Sequence, residues 1–143
     1  MTKPTATSVE IWIGLSRAYR AALSSIETSL KNAGLPPLPW YDVLWELERA
    51  GKNGARAFEL RDRLLLPQYG LSRLLDRLEK AGYLERISCD DDGRGHWLII
   101  TQKGVAARKD IWLIYGGAIE KALGGKLAPA DRQLLPELLR GLQ

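Results

Sequence analysis

The feature that most constrains this chain is a leucine row that stops at a glycine and runs at once into two strand-like segments. Leu71, Leu74, Leu75 and Leu78 recur at i, i+3, i+4 and i+7, the spacing of one buried helix face. Ala81-Gly82 then ends the helix, with glycine just past its last turn. Tyr83–Cys89 and His96–Thr101 read as strands, and Asp90-Asp91-Asp92-Gly93-Arg94-Gly95 between them reads as a hairpin tip. The helix and the hairpin therefore share a small core, and the opposite helix surface is left to solvent or to a partner.

The flanking segments are helical. Apolar residues recur at Ile11, Trp12, Leu15, Tyr19, Ala22, Leu23, Ile26 and Leu30, so Thr7–Lys31 reads as a helix, with Thr7 and Glu10 at capping-box spacing. Asn32–Pro39 is a loop, because glycine and three prolines stop a helix. A short helix over Pro39–Ala50 turns Trp40, Val43, Leu44 and Leu47 inward. Gly51–Gly54 is a turn, and residues 56–65 form another short helix. Pro67 opens the leucine-row helix, which runs to Lys80. Thr101 caps a long helix to Leu123, and Pro129 opens a last helix with a leucine row at Leu134, Leu138 and Leu142.

Two short helices in tandem followed by a hairpin make a winged helix-turn-helix. The fold class is mainly α with a small β-hairpin wing, flanked by terminal helices. The outward surface of the leucine-row helix carries Gln68, Tyr69, Ser72, Arg73, Asp76 and Arg77. Its early part lacks acids and is rich in long hydrogen-bonding side chains. A recognition helix presents such groups to base edges in the major groove, where Arg pairs bidentately with guanine and Gln with adenine. Taken alone, the same surface also reads as a solvated face. Gly93-Arg94-Gly95 lets one arginine project from a narrow turn, toward the negative potential of a narrow minor groove, with Asp92 placed to hold its guanidinium. Asp-Gly is also ordinary hairpin chemistry, and three consecutive aspartates sit awkwardly beside DNA.

These residues resemble the MarR family of bacterial transcription regulators over nearly the whole chain. The resemblance rests on L-S-R-L-L-D-R-L-E-K-A-G-Y-L-E-R (Leu71–Arg86), the wing D-G-R-G (Asp92–Gly95), T-Q-K-G (Thr101–Gly104) and the helices at both ends. It implies a homodimer that binds double-stranded DNA at a pseudo-palindromic operator, usually as a repressor released by a small, often aromatic, ligand. Pro67, Gly70 and Pro136 depart from the family pattern. The division expected within one domain of residues 1–143 is a DNA-binding lobe over about 39–101, with dimerisation helices over about 7–31 and 102–143. Apolar terminal helices that need a partner favour the dimer independently. A protein-interaction module on the same scaffold, without DNA, is the alternative.

The remaining expectations concern small chemistry. Trp12, Tyr19, Trp40, Tyr41 and Trp45, with a cation such as Arg17, would suit a small aromatic carboxylate, although each aromatic also reads as plain core. Cys89 stands beside Asp90, which disfavours a thiolate, so no redox role is expected. A single cysteine excludes an internal disulfide framework and suits a reducing cytoplasm. The lone histidine, His96, has no evident nucleophile partner, and one cysteine with one histidine builds no zinc site, so neither an enzyme nor a metal or cofactor is expected. No apolar run approaches the ~18 residues of a membrane span, and the first residues lack the apolar core of a signal peptide. The net charge of +4 permits nucleic acid without requiring it, and basic and acidic residues balance over 56–94.

Overall fold

Proline and glycine set the element boundaries, and the computed structural model describes residues 1–88 and 95–143. The elements are α1 (Ala6–Asn32), α2 (Leu38–Ala50), α3 (Ala57–Arg63), α4 (Leu71–Lys80), β1 (Leu84–Ser88), β2 (His96–Ile100), α5 (Gln102–Ala122) and α6 (Pro129–Arg140). The strands pair antiparallel, with Leu84 opposite Ile100 and Ser88 opposite His96. The fold is the expected one, mainly helical with a two-stranded hairpin.

Two local expectations are corrected. The cap of α1 is Thr5 rather than Thr7: its Oγ1 accepts the Ser8 N–H at 3.0 Å, because the helix already begins at Ala6. Helix α4 begins at Leu71 rather than at Pro67. Gly70 adopts φ 80° and ψ 33°, a left-handed conformation that interrupts the helical run and is open to glycine without a Cβ clash. The other end of α4 closes as expected. Tyr83 N–H donates to Leu78 O and Gly82 N–H to Glu79 O, the paired bonds of a glycine-terminated helix. Thr101 caps α5 by accepting the Gly104 N–H at 3.0 Å, and its hydroxyl donates to Gly82 O at 2.6 Å. One threonine thus joins the end of α4 to the start of α5.

Leu30–Ile114 form one compact unit. Its core joins Val43, Leu44 and Leu47 of α2, Leu60 of α3, the four α4 leucines, and Leu84 and Leu98 of the hairpin. Ala55, between α2 and α3, bridges to Leu98 at the middle of β2, on the edge of that strand away from β1, so one residue pair is added beside the hairpin. The second compact unit joins Met1–Ser29 with Tyr115–Gln143. In it, Arg132 ties α6 to α5 through Glu120 at 3.2 Å and donates to Leu127 O at 3.1 Å. The leucine row Leu134, Leu138 and Leu142 is exposed, as are Trp12 and Tyr19. Trp12 and Tyr19, read from the sequence as part of an apolar stripe, are therefore uncovered in a single copy. Val9, Ile11 and Leu15 beside them are exposed too, so this whole stretch lacks cover in a single copy.

The bridge at Ala55 requires a residue before it with no side chain. Gly54 has φ +70°, and a Cβ there would meet Leu98 O at 2.6 Å and the Ile99 side chain at 2.9 Å. Gly54→Ala should cost about 1–3 kcal/mol from the backbone conformation alone, with the steric clash in addition. Chemical denaturation of the variant checks this, and an unchanged midpoint would contradict it.

Candidate nucleic-acid interface

The helix-turn-helix is α3, the connection over 64–70, and α4. Arg56 N–H donates to Glu59 Oε1 at 3.1 Å and satisfies an orphan donor at the start of α3. Seven residues of helix do not hold themselves in place. The connection is held instead from α2. Asp42 is 8% exposed, and its two carboxylate oxygens accept the N–H groups of Leu65 at 3.1 Å and Leu66 at 3.0 Å. Leu66 is then buried while Leu65 projects to solvent. Sequence reasoning missed Asp42. Its one signal was an acid placed among the inward residues Tyr41, Val43 and Leu44.

Burial of the leucine row turns Ser72, Arg73, Asp76 and Arg77 outward, and all four are exposed. Gln68 and Tyr69 lie on the turn before α4, not on the helix. Gln68 is half-buried and Tyr69 is fully exposed. They sit at the N-terminal edge of the basic surface rather than in line with it. Asp92 and Arg94, named for the wing tip, lie outside the described residues, as does Cys89.

Asp76 and Glu79 are the only acids of α4, and Arg86 on β1 engages both. Its Nη2 lies 2.8 Å from Asp76 Oδ1, and its Nη1 donates to Glu79 Oε1 at 2.8 Å. Burial opposes the Arg86 charge, but the bonds to Asp76 and Glu79 outweigh it and raise its pKa. The helix that would face a polyanion thus has its negative charge drawn back toward the hairpin. Sequence reasoning named Asp76 on this face and missed its partner, because the pairing depends on where β1 passes α4.

The aromatic residues divide. Trp40 packs edge-on against Tyr83 with ring centroids 6.0 Å apart, a core contact. Tyr41 is buried and stacks on Trp112 of α5, also at 6.0 Å. Trp45 is 39% exposed, with the Arg108 guanidinium 5.2 Å from its ring centre. Arg108 Nη2 donates to Glu48 Oε1 at 3.2 Å, and its Nε lies 2.7 Å from Oε2, an ion pair short of hydrogen-bond alignment. Burial pushes the Tyr41 phenol up, and its bond with Arg108 partly offsets this. The structure thus groups Tyr41 and Trp45 with Arg108, while Trp12, Arg17 and Tyr19 belong to the other unit. Among the described residues, no three His, Cys, Asp or Glu side chains gather into a metal site. No helix there is long and apolar enough to cross a membrane.

An outward basic helix carried on a buried leucine face, preceded by a short pinned helix and followed by a hairpin, defines a winged helix-turn-helix protein. A profile of the MarR family matches residues 33–95. The chain is 26% identical over 136 residues to the HTH-type transcriptional regulator MhqR of Bacillus subtilis strain 168, covering 95% of this chain and 91% of that protein. The structure of Sco3205, a MarR family transcriptional regulator from Streptomyces coelicolor solved in complex with DNA, superposes with a TM-score of 0.81 at 25% identity, covering 99% of this chain and 89% of that one. Bordetella bronchiseptica BpsR, whose DNA binding is regulated by 6-hydroxynicotinic acid, shares the fold with a TM-score of 0.77 at 20% identity, covering 98% of this chain and 97% of that one. The chain thus resembles MarR family transcriptional regulators, in the profile matched by residues 33–95 and in its fold along nearly the whole length.

If Asp42 pins the connection before α4, Asp42→Ala should destabilise the fold by about 1–3 kcal/mol, since the buried Leu66 N–H and the part-buried Leu65 N–H lose a charged acceptor. Asp42→Asn, which keeps one acceptor oxygen, should lose less. Urea unfolding of both variants checks the order, and equal losses would contradict the two-bond arrangement.

Proposed function

We propose that this regulator is a homodimeric repressor that reads a pseudo-palindromic operator in double-stranded DNA and is released by a small aromatic ligand. The observation that carries the DNA reading is the outer face of α4. Ser72, Arg73 and Arg77 stand free of the core, while Arg86 takes up both acids of the helix. In this reading Arg73 and Arg77 contact base edges or phosphates, and Gln68 and Tyr69 meet the duplex from the turn before the helix. Arg94 enters the adjacent minor groove from the wing tip, supported by Asp92.

The dimer reading is supported by the exposed apolar surface of the terminal helices. Trp12, Leu134, Leu138 and Leu142 are each at least half exposed, the kind of apolar surface that a partner covers. A two-fold pair buries them and sets two α4 helices against half-sites ~10 bp apart. The division of labour is then terminal helices for pairing and residues 39–101 for DNA, within the cytoplasm.

The effector reading is supported by Trp45, exposed beside a guanidinium and next to the stacked Tyr41 and Trp112. It draws further on BpsR, by analogy of fold alone. Trp12, Arg17, Tyr19 and Trp40 remain the other candidates for this ligand.

Duplexes selected from a random pool by the full chain provide the operator for the tests. Arg73→Ala should cost about 1–3 kcal/mol at the base it reads and relax selection there, while Arg94→Ala should weaken most sequences alike. Unchanged affinity in both would overturn the DNA reading, and sedimentation as a monomer at micromolar concentration would overturn the dimer. A small aromatic carboxylate that releases the operator should also quench tryptophan fluorescence, and Trp45→Phe should reduce that quenching. A broad panel of such acids without effect on either signal counts against the effector.

A further inference from the structure

Beside the outer face of α4, a cleft of about 370 Å³ opens between α3, α4 and the hairpin. Its floor is apolar and includes Leu75 and Leu98, and its walls carry Arg56, Arg61, Arg86 and His96. Among the described residues no carboxylate lines it. The four cationic or basic groups are not equivalent. Arg86 is committed to Asp76 and Glu79, both at 2.8 Å. Arg56 lies over the Trp97 ring, 4.6 Å from its centre, which fixes its position. Arg61 and His96 are exposed and make no ion pair among the described residues. Ser72 adds a hydroxyl and belongs both to the cleft and to the outward face of α4.

A wall of guanidinium and imidazole groups with no acid among the described lining residues is suited to an anion. Guanidinium donates in a planar fork that matches two oxygens of a phosphate. Because Ser72 is shared with the reading face, an anion in the cleft sits at the edge of that helix, where the backbone of a duplex passes when the helix lies in the major groove. We propose that the cleft between α3, α4 and the hairpin seats a backbone phosphate of duplex DNA, gripped by Arg61 and His96 with the Ser72 hydroxyl. This rests on the reading of α4 as the DNA-contacting helix and adds two residues outside it. The contact carries no sequence information. It fixes the register of α4 along the groove, so that Arg73 meets one base pair and not its neighbour.

The test uses the full chain with two duplexes, one selected by the protein and one unrelated, across a salt series. Arg61 and His96 lie outside the apolar core, so Arg61→Ala and His96→Ala should keep the parent melting curve. Each variant should weaken both duplexes by the same factor, about three- to tenfold, and Arg61→Ala should also lower the slope of log affinity against log salt by about one. Arg61→Lys should recover the slope while recovering affinity only in part. Parent-like affinity and slope in Arg61→Ala and His96→Ala would overturn the proposal, as would a loss confined to the selected duplex. Inorganic phosphate that changes Trp97 fluorescence in the parent but not in Arg61→Ala, with duplex affinity unaltered, would mark a free-anion site and overturn it likewise. A parent that binds no duplex sinks the DNA reading and the cleft together, whereas a parent that binds with indifferent variants sinks the cleft alone.

Discussion

The whole outward surface of α4 depends on the burial of one helix face. Leu71, Leu74, Leu75 and Leu78 pack against Val43, Leu44, Leu47, Leu60 and Leu98. Each buried leucine is worth roughly 1.5–3 kcal/mol, while an exposed ion pair contributes about 0–1 kcal/mol. The leucines therefore decide the rotation of α4 about its own axis. Once that rotation is set, helical geometry leaves Ser72, Arg73 and Arg77 outside without any further interaction to hold them there.

Polar groups refine what the leucines decide. A helix can be rotated correctly and still be displaced along its length. The two Asp42 bonds to Leu65 and Leu66 act on that freedom, because they fix the chain just before Gly70 turns it into α4. Arg86 acts on charge rather than position. Its two ion pairs are partly exposed and add little to stability, yet they change what the helix presents to a polyanion. The same arginine borders the cleft that Arg61 and His96 line, where no acid stands among the described lining residues.

The second unit follows a different logic. Its ion pair between Arg132 and Glu120 ties α6 to α5, but leucines of α6 and aromatics of α1 remain uncovered. Apolar area left in water is a cost that the second copy proposed above would remove. In the other unit, Arg108 binds Glu48 while standing over Trp45, and Tyr41 stacks on Trp112. These contacts join α2 to α5 through side chains rather than backbone.

The helices, the hairpin and the outward placement of Ser72, Arg73 and Arg77 were legible in the sequence. They follow from local rules: leucine spacing, Gly82 past a helix end, and Thr101 at a helix start. The start of α4 was misplaced because Pro67 suits a first helical turn as well as it suits the turn before one, and the left-handed Gly70 settled the matter. What covers Trp12 and Tyr19 was not legible, because a helical stripe shows that a face is apolar and not what lies against it. Asp42 with Leu65, Arg86 with Asp76 and Glu79, and the cleft that Arg61 and His96 share were decided only by tertiary structure. Periodicity is a property of neighbours along a helix, whereas these contacts join residues that meet only after the core has brought their elements together.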